Sequence, residues 1–310
     1  MAENQYLYAV ARIRSKELLL LNQSDIDRLM NCKSEKECLR LLADKGWGKS
    51  GEEDAQQLLT IERAKTWELI SEMAEDMSVF DTFLYGNDFH NLKAAIKQVY
   101  TSSDLKDMDI YIGNGTVKPE IIYQAIKEHD FTALPDFLRE AAEEAYQVQM
   151  HTGNSQLCDI ILDKAALETI HKKGKASGNE LLSEYAELKV ASADINIAIR
   201  SLRTGKDKEF LERALAQCDT LDKVKLIDAV LEGEDAVYSY LSTTKYEDAV
   251  LSIRESPSSF ERWCDNLIIR HIRPQRYNPF TISPLAAYIL ARDNEIKTVR
   301  IILTVLISLS

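Results

Sequence analysis

The stretch ADKGWGKS at 43–50 is where residue types and spacing suggest phosphate chemistry. Ala43, four residues, then Gly48, Lys49 and Ser50 fit the loose form of a phosphate-binding loop, whose backbone N–H groups cradle phosphate while Lys and Ser reach its oxygens and a metal. That chemistry needs a buried strand before the loop and a helix N-terminus after it. The flanks here differ. Cys38, Leu41 and Leu42 share one face of an amphipathic helix, with Ser34 and Glu37 spaced as a capping box and Gly46 as its stop. Beyond the loop come Glu52, Glu53 and Asp54, which suit a helix start but repel a nucleotide. The segment CDIILD, ending at Asp163, is the only imitation of a strand-ending carboxylate, and it lies in a helical pattern. A phosphate-loop NTPase using 43–50 is therefore an alternative and not the main expectation.

Other chemistry is weaker still. His90, His129, His151, His171 and His271 lack metal-ligand spacing, so no metal or other cofactor is expected. GNS at 153–155 is not a nucleophile elbow, and EGED at 232–235 suits a solvated face better than an acid–base pair. Cys32, Cys38, Cys158, Cys218 and Cys264 are odd in number and irregular in spacing, which predicts reduced and mostly buried thiols.

The elements that must position any site are helical. The 310 residues contain only 11 Gly and 6 Pro, fewer breakers than a sheet protein of this length needs. Amphipathic periodicity predicts helices through 51–77, 134–150, 156–175 and 178–203, with loops at 111–120 and 271–279. No segment alternates as a strand does. The net charge of −12 opposes nucleic acid and anionic lipid as partners. The apolar tail IILTVLISLS is too short to span a bilayer, and the first residues carry charge where a signal peptide is apolar.

A weak internal repeat runs through the chain. Asp88-x-x-Asn91-Leu92-Lys93 lies over Glu295-x-x-Thr298-Val299-Arg300, and Asn196-Ile197 aligns between them. There Ala193 occupies the acid position and Asp194 follows it. The anchors 91, 196 and 298 are 105 and 102 residues apart, which predicts three helical units of about a hundred residues. An acid and an amide three residues apart share a helix face. Asn in mid-helix is a poor helix former, so it has a hydrogen-bonding task. Asp88, Asn91, Asn196, Glu295 and Thr298 are accordingly expected to form a polar lock between helices, or else to line a shared interior.

Several segments, taken in order, carry a resemblance. YLYAVARIRSKELLL (6–20), DFHNLKAAIK (88–97), GTVKPE (115–120), DINIAIRSLR (194–203) and SPLAAYILARDNEIKTVRIIL (283–303) resemble the C subunit of prokaryotic V-type ATPases, related to the d subunit of the eukaryotic enzyme. The resemblance implies an all-α funnel of three similar helical domains in pseudo-three-fold arrangement, spanning 1–114, 115–217 and 218–310. It implies a non-catalytic, cofactor-free coupler between the central-stalk subunits and the membrane proteolipid ring. Such a chain would be cytoplasmic and would reach the membrane only through the ATPase membrane sector, in ion (hydrogen-ion) transport and ATP synthesis. A general helical-repeat scaffold is the other alternative. It is disfavoured because scaffold repeats are shorter, at roughly 34–47 residues.

Two features depart from the family pattern. Ala193 lacks the acid, and the tail from Thr304 to Ser310 replaces the family's Gly-Lys turn and further helix. Leu303 and Leu306 are therefore expected to extend an uncovered apolar stripe. Finally, Lys93, Lys97, Arg200, Arg203 and Arg300 lie on or beside the repeated helices of an acidic chain. They are candidates for partner contact, against simple pairing with neighbours such as Asp88 and Glu295.

Overall fold

A computed structural model of the chain describes residues 2–101, 110–274, 277–278 and 280–309. Gln275, Arg276 and Pro279 of the expected 271–279 loop, and Ser310 of the tail, lie outside the described residues. Every described element is a helix, so the all-α expectation holds. In chain order they are α1 (Ala2–Glu17), α2 (Gln23–Met30), α3 (Glu35–Asp44), α4 (Ala55–Ser71), α5 (Tyr85–Thr101), α6 (Pro119–Glu128), α7 (Asp136–Thr152) and α8 (Ser155–Ala176). They continue with α9 (Glu180–Thr204), α10 (Lys208–Ala214), α11 (Lys223–Glu232), α12 (Glu234–Ser242), α13 (Ala249–Glu255), α14 (Pro257–Ile272) and α15 (Ser283–Leu309). Short 3-10 turns occupy Met77–Phe83 and Phe131–Ala133.

Short polar side chains set where many helices begin. Asn22, Asp54, Asn154, Asn179, Asp207 and Asp222 each accept a first-turn backbone N–H, satisfying donors that a helix leaves unpaired. The Ser34 box is only half made. Ser34 accepts the Glu37 N–H as expected, but Glu37 reaches back to the Lys33 N–H. Gly46 ends α3 in the left-handed region at φ 85°, where only glycine escapes Cβ crowding.

The chain forms two compact units, 1–77 with 269–310 and 78–268. In the first, α15 packs on α4, α1 and α3. Its core joins Leu29, Cys38, Leu42 and Leu58 to Ile296, Val299 and Leu303 of α15. Here the tail expectation needs correction: α15 continues to Leu309, Leu303 is 1% exposed, and Leu306 packs against this core. Among the described side chains of that helix, Ile301, Val305 and Ile307 are exposed. In the second unit, α5 packs on α6, α7 and α8 around Leu92, Ile96, Ile126, Leu138 and Leu162. A further core gathers Leu188, Ile195 and Ile199 of α9 with Leu226, Val237, Tyr246 and Trp263. Each of these cores is therefore built on one long helix, α15, α5 or α9. The five cysteines are unbridged, and all but Cys264 are buried.

Candidate functional site

Each of these long helices also carries a buried carboxylate that grips a loop. On α5, Asp88 and Asn91 are both 0% exposed. Asp88 accepts the Thr116 hydroxyl at 2.7 Å and the Val117 N–H at 3.0 Å. One turn on, Asn91 accepts the Ile112 N–H at 2.8 Å and donates to the Ile112 carbonyl at 2.9 Å. Buried polar groups need partners, and here each partner is loop backbone or a loop side chain. The acid and amide therefore lock the 110–117 loop onto α5, a different object from the expected helix-to-helix lock. Burial pushes the Asp88 carboxyl up, partly offset by the Val117 and Thr116 bonds. Gly115 is required by this closeness, since a Cβ there would lie 2.2 Å from Asp88 Oδ1.

On α9 the register differs from the expected repeat. Asn196 is half-buried and has no side-chain hydrogen bond among the described residues. The grip comes from Glu187 and Asp194, which are 4% and 2% exposed. Glu187 Oε1 accepts the Thr220 N–H at 2.8 Å and its hydroxyl at 2.6 Å, and the Asp219 N–H at 3.0 Å. His171 of α8 places Nε2 2.8 Å from Glu187 Oε2. Burial opposes ionisation of Glu187 most strongly, yet Thr220, His171 and the two backbone donors together hold it at about 2. Among the described residues Asp194 accepts only the Ala216 N–H, at 3.0 Å, and burial pushes its carboxyl up to about 7.

On α15, Glu295 accepts the Leu21 N–H and pairs with Arg292, which also reaches Glu62 of α4. Burial raises the Glu295 carboxyl against the pull of Arg292. Thr298 donates to the Asn294 carbonyl of its own helix at 2.9 Å. On all three helices the gripped N–H groups lie shortly before a short helix. Leu21 precedes α2, Val117 precedes α6, and Asp219 and Thr220 precede α11.

The 43–50 segment is self-satisfied. The N–H groups of Lys49 and Ser50 donate to Glu53 Oε1 at 2.8 and 2.7 Å, and that of Gly51 donates to Oε2 at 2.9 Å. These amides form an anion nest, and an internal carboxylate fills it. The Ser50 and Lys49 N–H bonds hold Glu53 at about 2. Gly48 N–H donates to Glu62 at 2.9 Å, and Lys65 donates to the Gly46 and Gly48 carbonyls at 3.1 and 2.6 Å.

The candidate contact cations divide in two. Lys93 and Lys97 pair with Asp163 and Asp159 of α8, each at 2.7 Å, and not with Asp88. Arg200, Arg203 and Arg300 are exposed. His171, Glu187 and Asp219 come within 4.8 Å of one another, a spacing that could take a metal. Lys175 lies 2.7 Å from Asp219 and 3.9 Å from Glu187 and supplies positive charge there.

Known proteins match this chain along almost its whole length. The description "ATP synthase (C/AC39) subunit" belongs to the family profile that matches residues 9–307. The C subunit of the V-type sodium ATPase of Enterococcus hirae is 23% identical over 257 residues, covering 81% of this chain and 77% of the relative. The C subunit of the A-type ATP synthase of Methanocaldococcus jannaschii is 23% identical over 334 residues, covering 96% and 82%. That of Thermococcus kodakarensis is 21% identical over 315 residues, covering 95% and 85%.

Proposed function

The chain belongs to the ATP synthase (C/AC39) subunit family, and from that premise we propose that it is the non-catalytic coupling component of a rotary V/A-type ATPase. In this role it is a socket that joins the central stalk to the membrane proteolipid ring and passes torque between them. The family match over 9–307 carries the reading. The buried grips on α5, α9 and α15 support it physically. A part that transmits torque has to resist deformation, and buried, satisfied polar networks fix loops to helices in one arrangement.

The three similar units expected from the sequence belong to the same proposal. As proposed they span 1–114, 115–217 and 218–310, and the recurrence of a core built on one long helix, α5, α9 or α15, supports a repeated design. Among the described residues no helix is long and apolar enough to cross a membrane. Reaching the membrane through the proteolipid ring, on the cytoplasmic side, is thus part of the proposal. The filled nest at Glu53 disfavours the NTPase alternative, because a phosphate would have to displace an ion already held by three N–H groups.

Reconstitution tests the role. Purified chain is mixed with proteolipid ring and central-stalk subunits, alone and together. Binding to both, and restoration of ATP-driven ion transport to a complex lacking the chain, is the expected outcome. Binding to neither, or transport that is unchanged by its omission, overturns the proposal.

A further inference from the structure

In the unit formed by 1–77 and 269–310, a pocket of about 350 Å³ opens between the end of α1, the α3–α4 loop, α4 and α15. Its volume falls in the range of roughly 300–1,000 Å³ that suits small-molecule ligands. The charge of its wall is unlike that of the chain. Lys16, Lys45, Lys65 and Arg292 line it with a single acid, Glu62, although the net charge of the chain is −12.

Most of that charge is already answered. Lys65 and Arg292 both bond Glu62, Arg292 also bonds Glu295, and Lys45 pairs with Asp25 at 2.6 Å. Lys16 is half-buried and has no ion-pair partner among the described residues. It leaves the wall with an unmatched positive charge.

Two neutral donors lie on the same wall. Trp47 is 4% exposed and Tyr288 is 6% exposed, and both line the pocket. Among the described residues neither the Trp47 indole N–H nor the Tyr288 hydroxyl has a hydrogen-bond partner. The two rings are buried but their donor atoms are open to water, which a ligand oxygen can replace. The Trp47 ring is held in place by the Arg292 guanidinium, 5.1 Å from its centroid. Leu69 and the Leu19–Leu20 turn supply the apolar remainder of the wall.

We propose that this pocket binds a small organic anion, with its carboxylate or phosphate accepting from Lys16, Trp47 and Tyr288 and its flat apolar body against Leu69 and Leu20. A charged acceptor can take hydrogen bonds from the two water-exposed donors and the unmatched ammonium at once, and charge-assisted hydrogen bonds are the strong kind. The site is distinct from the Glu53 nest, whose N–H groups are already occupied. It does not depend on the coupling role, and a failure of one leaves the other standing.

The test titrates the full chain with phenyl phosphate and benzoate, reading the indole N–H resonance of Trp47 by NMR. Benzyl alcohol is the neutral control and inorganic phosphate the control for the anion alone. The expected result is a saturable shift with phenyl phosphate or benzoate, tighter than with inorganic phosphate and absent with benzyl alcohol. Lys16→Gln and Tyr288→Phe, both mild substitutions, are each expected to weaken that binding roughly tenfold. A shift that does not saturate, that benzyl alcohol reproduces, or that both variants leave unchanged overturns the proposal. An inorganic phosphate titration that matches phenyl phosphate overturns the apolar half of it.

Discussion

Thr220 donates both its N–H and its hydroxyl to one oxygen of Glu187, at 2.8 and 2.6 Å, although the two residues lie 33 positions apart in the chain. The hydroxyl also meets Tyr246 Oη at 2.6 Å, so one carboxylate oxygen ties α9 to the segment before α11 and to a fully buried ring. Removing the acid strands these donors and the His171 ring nitrogen. Glu187→Ala is expected to lose about 3 kcal/mol of stability in urea denaturation, and Thr220→Val about 1–2 kcal/mol. The double variant is expected to lose less than the sum, since both remove the same bonds. Strictly additive losses would show that Glu187 and Thr220 act independently.

Gly115 and Asp88 make a second pair that can be separated by mutation. An added Cβ at 115 would lie 2.2 Å from Asp88 Oδ1 and 3.3 Å from the Val117 carbonyl. Gly115→Ala is therefore expected to destabilise by about 1–3 kcal/mol, the ordinary range for forced overpacking. Faster hydrogen exchange at the Ile112 and Val117 amides would report the loosened loop. Asp88→Ala removes the colliding oxygen, so the double variant should be less destabilised than the two singles predict together. Equal exchange at those amides in Gly115→Ala would mean that the loop does not depend on the close approach.

How much of this was legible in the sequence depended on the range of the interaction. The helix start at Ser34 was readable because a cap and its target lie within one turn. The acid and amide at 88 and 91 were visible as a pair on one face, but not their target, because Ile112 and Thr116 lie in a loop whose path no local rule sets. The grip on α9 was missed for a related reason. The repeat pattern fixed on Asn196 and left Ala193 in the acid position, while the binding comes from the next residue, Asp194, and from Glu187 about two turns before Ala193. Glu62 and Arg292 were invisible as partners, being 230 residues apart. The misfit of GWGKS with phosphate binding was legible from the flanking acids, but that Glu53 itself fills the nest was not.

Asp194 sets a pH dependence of stability. Its carboxyl stands at about 7 in the folded chain against an ordinary 3.8, so the folded state holds a proton that the unfolded state has released between those values. That contribution is fully present below the unfolded value and is lost as pH rises through the folded one. Asp194→Asn keeps an oxygen for the Ala216 N–H and carries no charge. It is expected to raise the melting temperature most at about pH 8 and least at about pH 5, flattening the wild-type decline between them. A wild-type curve that is flat across this window, or a variant that steepens it, would contradict the assignment. Glu187 and Glu53 act on the other limb. Both stand at about 2, so their stabilisation is lost as pH falls from the ordinary carboxylate range toward that value.

The Glu53 nest makes a claim about nucleotide binding. Calorimetric titration of the wild-type chain with Mg-ATP is expected to show no saturable heat that depends on Lys49. Glu53→Ala should release the N–H groups of Lys49, Ser50 and Gly51 and speed their hydrogen exchange, because their acceptor is gone. Saturable binding that Lys49→Ala abolishes would reopen the NTPase reading.

The last expectation concerns the cations proposed for partner contact. Lys93 and Lys97 spend their charge on Asp163 and Asp159, whereas Arg200 and Arg203 stand exposed near the end of α9. Exposed charges act chiefly on encounter rates, through attraction that salt screens. If these arginines meet an acidic stalk surface, the Arg200→Glu/Arg203→Glu variant should associate with the central stalk roughly tenfold more slowly at low salt, with a weaker dependence on ionic strength. Lys93→Glu/Lys97→Glu is expected to alter stability more than association, because reversal places like charges against Asp159 and Asp163. Stopped-flow association at several salt concentrations distinguishes the two pairs, with circular dichroism confirming the helical content of each variant. Unchanged kinetics in a folded Arg200→Glu/Arg203→Glu chain would exclude the end of α9 from the stalk contact.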